Sequence, residues 1–380
     1  MHRKLLVIIV VLIALVMPVA TFITTPKQAT VFSENENRYL TRFVKPNKNN
    51  LTDRRFMDTF DEWFADRFIM REEFIIAQNT LERLQGKSEI NGVFTADDRL
   101  ILSWKNTAGG FNTPLQSVDN FVQQIGIESY IMLVPTAQEI YADTLPPNSE
   151  PGNQTALIKH CYDNLPNLTS IDVATYLTEN SDGYIFYRTD HHWTTYGAYW
   201  GYYAAALKMG IVPYDVGKFS VEHASTDFRG TLFSKTLDYR ITPDVVSFYT
   251  LANNPPELTL TVNDGVETVK HDSLYLRDYL NSKDKYAAFM GVNSPIMEIE
   301  TDVDNDRALL VFKDSYAHCM LPFLSNHYSR ITVLDMRYIN VDVSSFVDFS
   351  EYEQVLFVYS ATEFAEDTSL RKLGLTGKGS

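Results

Sequence analysis

The sequence predicts an α/β protein built on a parallel sheet, and three observations predict it. Residues 130–135 and 308–312 are almost wholly apolar, as strands buried on both faces are. Residues 118–127 and 196–207 carry apolar side chains at helical spacing. Strands and helices alternate along the chain, the pattern left when crossover helices join parallel strands.

The first element is an export segment. His2, Arg3 and Lys4 precede about 19 uncharged residues, Leu5 to Ile23, broken only by Pro18 and Thr21. That length approaches the ~20 residues needed to span a bilayer and exceeds an ordinary signal-peptide core. Basic residues before it and a long polar chain after it put the bulk of the protein outside. The expectation is a signal anchor over residues 1–24 that ties the chain to the cell membrane, with a cleaved signal peptide as the alternative.

Residues 25–52 are polar, without sustained periodicity, and read as a stalk. Over 53–89, Phe56, Phe60, Phe64, Phe68 and Phe74 recur near helical spacing with charges between them, which predicts amphipathic helices. Residues 90–380 form the α/β domain. Its strands are expected at Val93-Phe94, Leu100 to Leu102, Tyr130 to Pro135, Ala308 to Phe312, Ile331 to Leu334 and Gln354 to Tyr359, with a helix from Ser315. Residues 216–300 differ: many Thr, Asp and Val, and an Asn263-Asp264-Gly265 turn between alternating runs, mark a β-rich insertion.

Composition narrows the function. With 33 basic and 48 acidic residues the net charge is −15, which repels polyphosphate and argues against nucleic acid as a partner. Aromatic content of 13% suits stacking on carbohydrate, though it equally fits a tyrosine-rich core. Cys161 and Cys319 are too few for a disulfide framework and lack the spacing of a zinc or redox motif. They are two buried thiols or, outside the cell, one long-range disulfide.

Two segments carry chemistry: Tyr187-Arg188-Thr189-Asp190-His191-His192-Trp193-Thr194, and Leu309 through Lys313-Asp314-Ser315-Tyr316. In the second, a buried strand runs into a turn, which places Ser315 at the carboxyl edge of the sheet, where open α/β folds bind ligands. A helix starting there would aim its N–H groups and dipole at a developing oxyanion. The alternative is that Asp314 or Ser315 merely caps the helix.

In the first segment, an extended or turn-like backbone projects residues i and i+2 to one side. Asp190 then orients His192, whose other ring nitrogen takes the serine proton, and His191 faces away. The alternatives are a hydrogen-bonded surface turn, or a metal site drawing on Asp190, His191, His192, Asp314 and His318. The missing H-x-x-x-H pattern and second acidic motif argue against metal, and no cofactor is expected. Asp302, Asp304 and Asp306 alternate like a calcium loop, but Arg307 and Lys313 stand where its glycine and glutamate belong.

The Asp190-His191-His192-Trp193 tetrad resembles the name-giving motif of the DHHW family, and the wider pattern is similar to the SGNH-hydrolase-like alginate O-acetylation proteins. Supporting matches are Phe64-Ala65-Asp66-Arg67-Phe68 with Arg71, Asn91-Gly92-Val93-Phe94, Val134-Pro135 with Tyr141, Gly230-Thr231-Leu232, Gly291-Val292-Asn293, Lys313-Asp314-Ser315 and Leu334-Asp335-Met336-Arg337. The resemblance implies a flavodoxin-like parallel sheet with flanking helices. Its motif order is permuted, because Asp and His precede the serine here. It carries the catalytic roles to Asp190, His192 and Ser315. Gly291 and Asn293 become oxyanion candidates, and Arg188, Trp193 and Tyr316 candidate substrate contacts. Lys313 departs from the pattern, standing where a glycine is usual.

The function so implied is serine-dependent O-acyl transfer, acetyl above all, to a cell-envelope polysaccharide, beside a membrane-bound O-acyltransferase. Two other readings stay open: an esterase or deacetylase using the same triad, and a non-catalytic glycan-binding protein on a degenerate fold.

Overall fold

A computed structural model describes the chain except residues 1–3, 6–9, 26–29, 37, 53, 106–113 and 376–380. Its contacts divide it into two units: residues 1–91 with 233–240, and residues 92–232 with 241–380.

In the first unit Met17–Thr24 is α-helical and follows a π-helical turn, Leu12–Val16. Among the described residues no helix is long and apolar enough to cross a membrane, and residues 1–3 and 6–9 of the expected anchor lie outside the described residues. The stretch expected as a stalk carries a short antiparallel pairing, Phe32–Ser33 with Arg38–Tyr39, and a helical turn, Lys48–Thr52. Two helices follow, Arg55–Arg67 and Arg71–Leu84, parted where Met70 takes a left-handed φ of 61°. On the first, Phe56, Phe60 and Phe64 stack at centroid spacings of 5.7 and 5.9 Å, the contact that i,i+4 spacing provides. Arg38 forks onto Asp66, whose Oδ2 also accepts from Thr41 N at 2.8 Å. The segment 233–240 joins this unit through Asn79 Nδ2 donating to Thr236 O at 2.7 Å and an Arg83–Asp238 ion pair at 3.1 Å.

The second unit is the α/β body. Its sheet is built from β1 (Glu128–Val134), β2 (Thr169–Ser170), β3 (Leu258–Asn263), β4 (Thr268–His271), β5 (Ile296–Thr301), β6 (Ala308–Lys313), β7 (Arg330–Leu334) and β8 (Gln354–Ser360). The order across it is β4-β3-β5-β7-β6-β8-β1-β2. From β7 to β2 every pairing is parallel, and β5, β3 and β4 extend the sheet antiparallel. The segment 216–300 therefore supplies sheet strands, together with a separate antiparallel ribbon, Phe219–Phe228 with Asp244–Leu251.

The near-continuous apolar runs are explained by the two faces. Leu309 and Val311 of β6 enter one core with Met132, Val134 and Val358, while Leu310 and Phe312 enter the other with Ile131, Leu133 and Phe357. Two helices position the site. α1 (Leu115–Ile125) packs Val118, Phe121 and Val122 inward and stops at Gly126, whose φ of 66° accommodates the C-cap. α2 (Thr195–Lys208) starts where the Thr194 side chain accepts from Gly197 N at 3.2 Å. Its small residues allow close approach: a Cβ on Gly201 would lie 2.6 Å from the Trp193 ring. Cys161 and Cys319 are both buried and both free, and burial raises each thiol to about 12.

Candidate active site

The Asp-His-His-Trp stretch folds as a closed loop. Phe186 and Trp193 bridge antiparallel, Thr194 N donates to Ile185 O at 2.9 Å, and Tyr187 N donates to His192 O at 3.2 Å. Asp244, at the start of a ribbon strand, pins the tip: its buried carboxylate accepts from Arg188 N (2.7 Å), Thr189 N (2.8 Å), Thr189 Oγ1 and the Tyr184 hydroxyl.

Opposite this loop, β6 ends at Lys313 and Asp314 shapes the turn. Asp314 Oδ1 accepts from Tyr316 N at 2.9 Å, Oδ2 accepts from Ser360 N at 2.8 Å, and its own N–H donates to Val358 O at 3.2 Å. Ser315 opens a 3-10 turn, Ser315–Cys319, in place of the expected helix. The chain re-coils only at Leu321–Leu324, with Pro322 in its first turn. Five residues of 3-10 turn build no helix dipole worth invoking, so that part of the oxyanion argument falls away. The Ser315 N–H remains, with no hydrogen-bond partner among the described residues.

The two segments are stitched together. Trp193 Nε1 donates to Tyr316 O at 2.9 Å, and the Tyr316 hydroxyl donates to His191 O at 2.5 Å. Tyr286 stacks on His192, centroids 3.7 Å apart and planes within 6°, and donates to Ser315 O at 2.9 Å. The structure thereby brings Asp190, His192 and Ser315 into one line. Asp190 Oδ1 meets His192 Nδ1 at 2.6 Å, and His192 Nε2 meets Ser315 Oγ at 2.7 Å.

Asp190's other oxygen, Oδ2, accepts from Thr231 N at 2.8 Å and Thr231 Oγ1 at 3.0 Å. A Cβ on Gly230 would fall 2.3 Å from that same oxygen, so only glycine lets the carboxylate stand there. Burial pushes the Asp190 carboxyl up. The nearby His191 and His192 and the hydrogen bonds from His192 and Thr231 outweigh burial and hold it well below the usual carboxylate range.

Several expectations need correction. His191 does not face away: the turn keeps its ring beside that of His192. Its ring lies 3.9 Å from that of His192, and its Nδ1 meets Thr231 Oγ1 at 2.9 Å. Gly291 spends its N–H on Ala287 O at 2.9 Å, so it offers no oxyanion donor. Trp193 and Tyr316 are buried, and their polar groups are spent on joining the two segments. Arg188 lies over the Tyr184 ring and 3.6 Å from Asp98, and its contacts include none of the triad.

Lys313, standing in for a glycine, is fully buried. Its ammonium donates to Asn293 Oδ1 (2.7 Å), His318 Nε2 (2.8 Å) and Asp335 Oδ2 (3.1 Å). Because an ammonium only donates, Asn293 must turn its oxygen to it, and the Asn293 Nδ2 has no partner among the described residues.

Asp190, His191 and His192 also bring ligand-type atoms within 4.8 Å of one another. The Asp190 oxygens, both His192 nitrogens and His191 Nδ1 are engaged with one another, Ser315 and Thr231. His318, the more distant ligand candidate, engages Lys313 and, through Nδ1, Phe289 O at 3.0 Å.

Thr231, Asp244 and Tyr286 were not picked out as working residues from sequence. Gly230-Thr231-Leu232 did stand out as a motif, while Asp244 and Tyr286 sit in runs with no local signature.

The fold recurs among solved structures. A DHHW family protein from Eubacterium siraeum superposes with a TM-score of 0.66 at 25% identity, over 76% of this chain and 96% of that one. Bacillus cereus PatB1, solved with a sulfonyl adduct, gives 0.61 at 19% identity over 73% and 98%. The O-acetyltransferase domain of Pseudomonas putida AlgJ gives 0.47 at 18% identity over 74% and 98%. No curated protein matches the sequence. The family model for DHHW proteins matches residues 114–334, a span that holds the loop, the Thr231 contact and the serine turn, and the chain belongs to that family.

Proposed function

We propose that this protein is a serine acyltransferase that moves an acetyl group onto a hydroxyl of a cell-envelope polysaccharide. The observation that carries the reading is the unbroken line from Asp190 through His192 to Ser315, at 2.6 and 2.7 Å, beside the carboxyl end of β6. In the reaction Ser315 Oγ attacks the donor's carbonyl carbon while His192 Nε2 takes its proton. His192 returns that proton to the leaving group, which departs and leaves an acetyl ester on Ser315. An acceptor hydroxyl then gives its proton to His192, forms the new ester bond, and releases Ser315 reprotonated.

Asp190, ionised and fixed by Thr231, holds the tautomer that leaves Nε2 free to accept. The Ser315 N–H and Asn293 Nδ2, both without a partner among the described residues, are the donors for the oxyanion. Acetyl as the acyl group, the polysaccharide acceptor and a membrane-bound O-acyltransferase as donor-side partner extend the same reading from the alginate-type resemblance. So does an extracytoplasmic position, tethered by the amino-terminal segment.

The test is p-nitrophenyl acetate turnover by the chain from Thr30 onward, with and without an oligosaccharide acceptor, comparing wild type with Ser315→Ala and His192→Ala. Each substitution is expected to lower kcat/KM by at least ~10³-fold. Acetylated oligosaccharide identifies a transferase and free acetate alone an esterase. Equal rates in all three proteins would leave a glycan-binding role.

A further inference from the structure

The first histidine of the pair has no part in the acyl-transfer reading, yet its surroundings fix its chemistry. Thr231 Oγ1 has one hydrogen and lies 3.0 Å from Asp190 Oδ2, a carboxylate that only accepts, so the hydrogen goes there. At the 2.9 Å contact with His191 Nδ1 the hydroxyl oxygen is then the acceptor, and Nδ1 carries the proton. The other nitrogen, Nε2, is therefore the bare lone pair. It has no partner among the described residues, and the side chain is 30% exposed. Burial, with repulsion from His192, also lowers His191 to about 4, which keeps that lone pair in place at neutral pH.

Two imidazoles thus stand side by side, centroids 3.9 Å apart. Each presents an acceptor nitrogen: His192 Nε2 to the reacting hydroxyl, and His191 Nε2 to whatever lies next to it. We propose that His191 is the acceptor-specificity residue, its Nε2 accepting a hydrogen bond from the hydroxyl vicinal to the one that His192 deprotonates. The acceptor chemistry it selects is the vicinal diol of a sugar over an isolated alcohol or water. The inference rests on the acyl-transfer reading and adds no covalent step to it. The attacking oxygen still gives its proton to His192, and the neighbouring hydroxyl keeps its own.

The experiment uses the full chain, acetylated in situ by p-nitrophenyl acetate, and two acceptors, ethane-1,2-diol and 2-methoxyethanol, in the second of which a methyl group replaces the hydrogen of the neighbouring hydroxyl. The measured quantity is the ratio of the two ester products. Wild type is expected to favour the diol about tenfold, the effect of one hydrogen bond. His191→Ala is expected to drop to about twofold, the statistical factor for two equivalent hydroxyls.

His191→Gln, whose amide oxygen can accept, restores part of the preference and serves as the probe if the alanine variant fails to fold. A wild type without preference, or a His191→Ala protein that keeps the full ratio, overturns the proposal. A purely structural role for His191, acting through Thr231 on Asp190, would slow both acceptors equally and leave the ratio at its wild-type value, which also overturns it. Failure of the triad reading is seen separately, as p-nitrophenol release by Ser315→Ala at the wild-type rate.

Discussion

Where the carboxylate of the triad stands is decided by a side chain that is missing. Gly230 does not need an unusual φ, since it is absent from the positive-φ glycines, so alanine would suit its backbone and only the contact with Asp190 forbids it. Gly230→Ala is therefore expected to fold, to push Asp190 off the His192 Nδ1 axis, and to lower kcat/KM by about 10²-fold, the usual effect of ~1 Å of misplacement. A folded variant with full activity, judged by melting and p-nitrophenyl acetate kinetics, would contradict this account of the site. The same contrast explains what sequence could reach at this scale. Asp190, His192 and Ser315 are legible because their chemistry is carried by residue type and by a motif. Gly230, Asp244 and Tyr286 act only through what the fold brings to them: Gly230 meets Asp190 40 positions away, Asp244 the Thr189 and Arg188 backbone 55 and 56 away, and Tyr286 the His192 ring 94 away, and nothing local marks the last two.

The strands were legible for a plain reason: burial on both faces leaves residues 131–134 of β1, 308–312 of β6 and 355–358 of β8 wholly apolar, and such runs leave few alternatives. The helix expected from Ser315 was not, because Asp314 engages Tyr316 N and Pro322 opens a second short helix, so the chain makes a 3-10 turn between them. The end of β6 also carries a buried cation whose titration can be observed. Burial pulls Lys313 from 10.5 down to about 8 despite Asp335, with Arg337 opposing its charge and Asp314 favouring it. Below pH ~8 the folded and unfolded chains both hold this proton. Between ~8 and 10.5 the unfolded chain holds more, so stability rises with pH through that window. Across that window the gain amounts to at most about 3 kcal/mol. Urea unfolding of wild type against Lys313→Met should show their difference moving in favour of wild type from pH 7.5 to 10. A difference independent of pH would mean that the lysine is not shifted.

At the scale of the whole molecule, the chain passes from one unit to the other directly beside the site. Leu232 N donates to Thr189 O at 3.0 Å, Thr231 holds Asp190, and the next residues, 233–240, belong to the amino-terminal unit. Within that unit the segment is held by Asn79 on Thr236 O and by Arg83 on the buried Asp238. A covalent link therefore runs from the segment held within the amino-terminal unit to Thr231, the residue that holds the triad carboxylate. Asn79→Ala with Arg83→Ala removes two of the holds, leaving Asn91 Nδ2 on Lys235 O at 2.8 Å, without touching the α/β body. Losing one buried hydrogen bond and one partly buried ion pair costs on the order of 1–3 kcal/mol each. The expected outcome is protease sensitivity appearing within residues 233–240 and a fall in kcat of about tenfold, with the p-nitrophenyl acetate KM changing less, since what loosens is Asp190 and not the acyl-binding surface. Cleavage at 233–240 with full kcat would show that Thr231 is held by the α/β body alone, and would reduce the first unit to a tether.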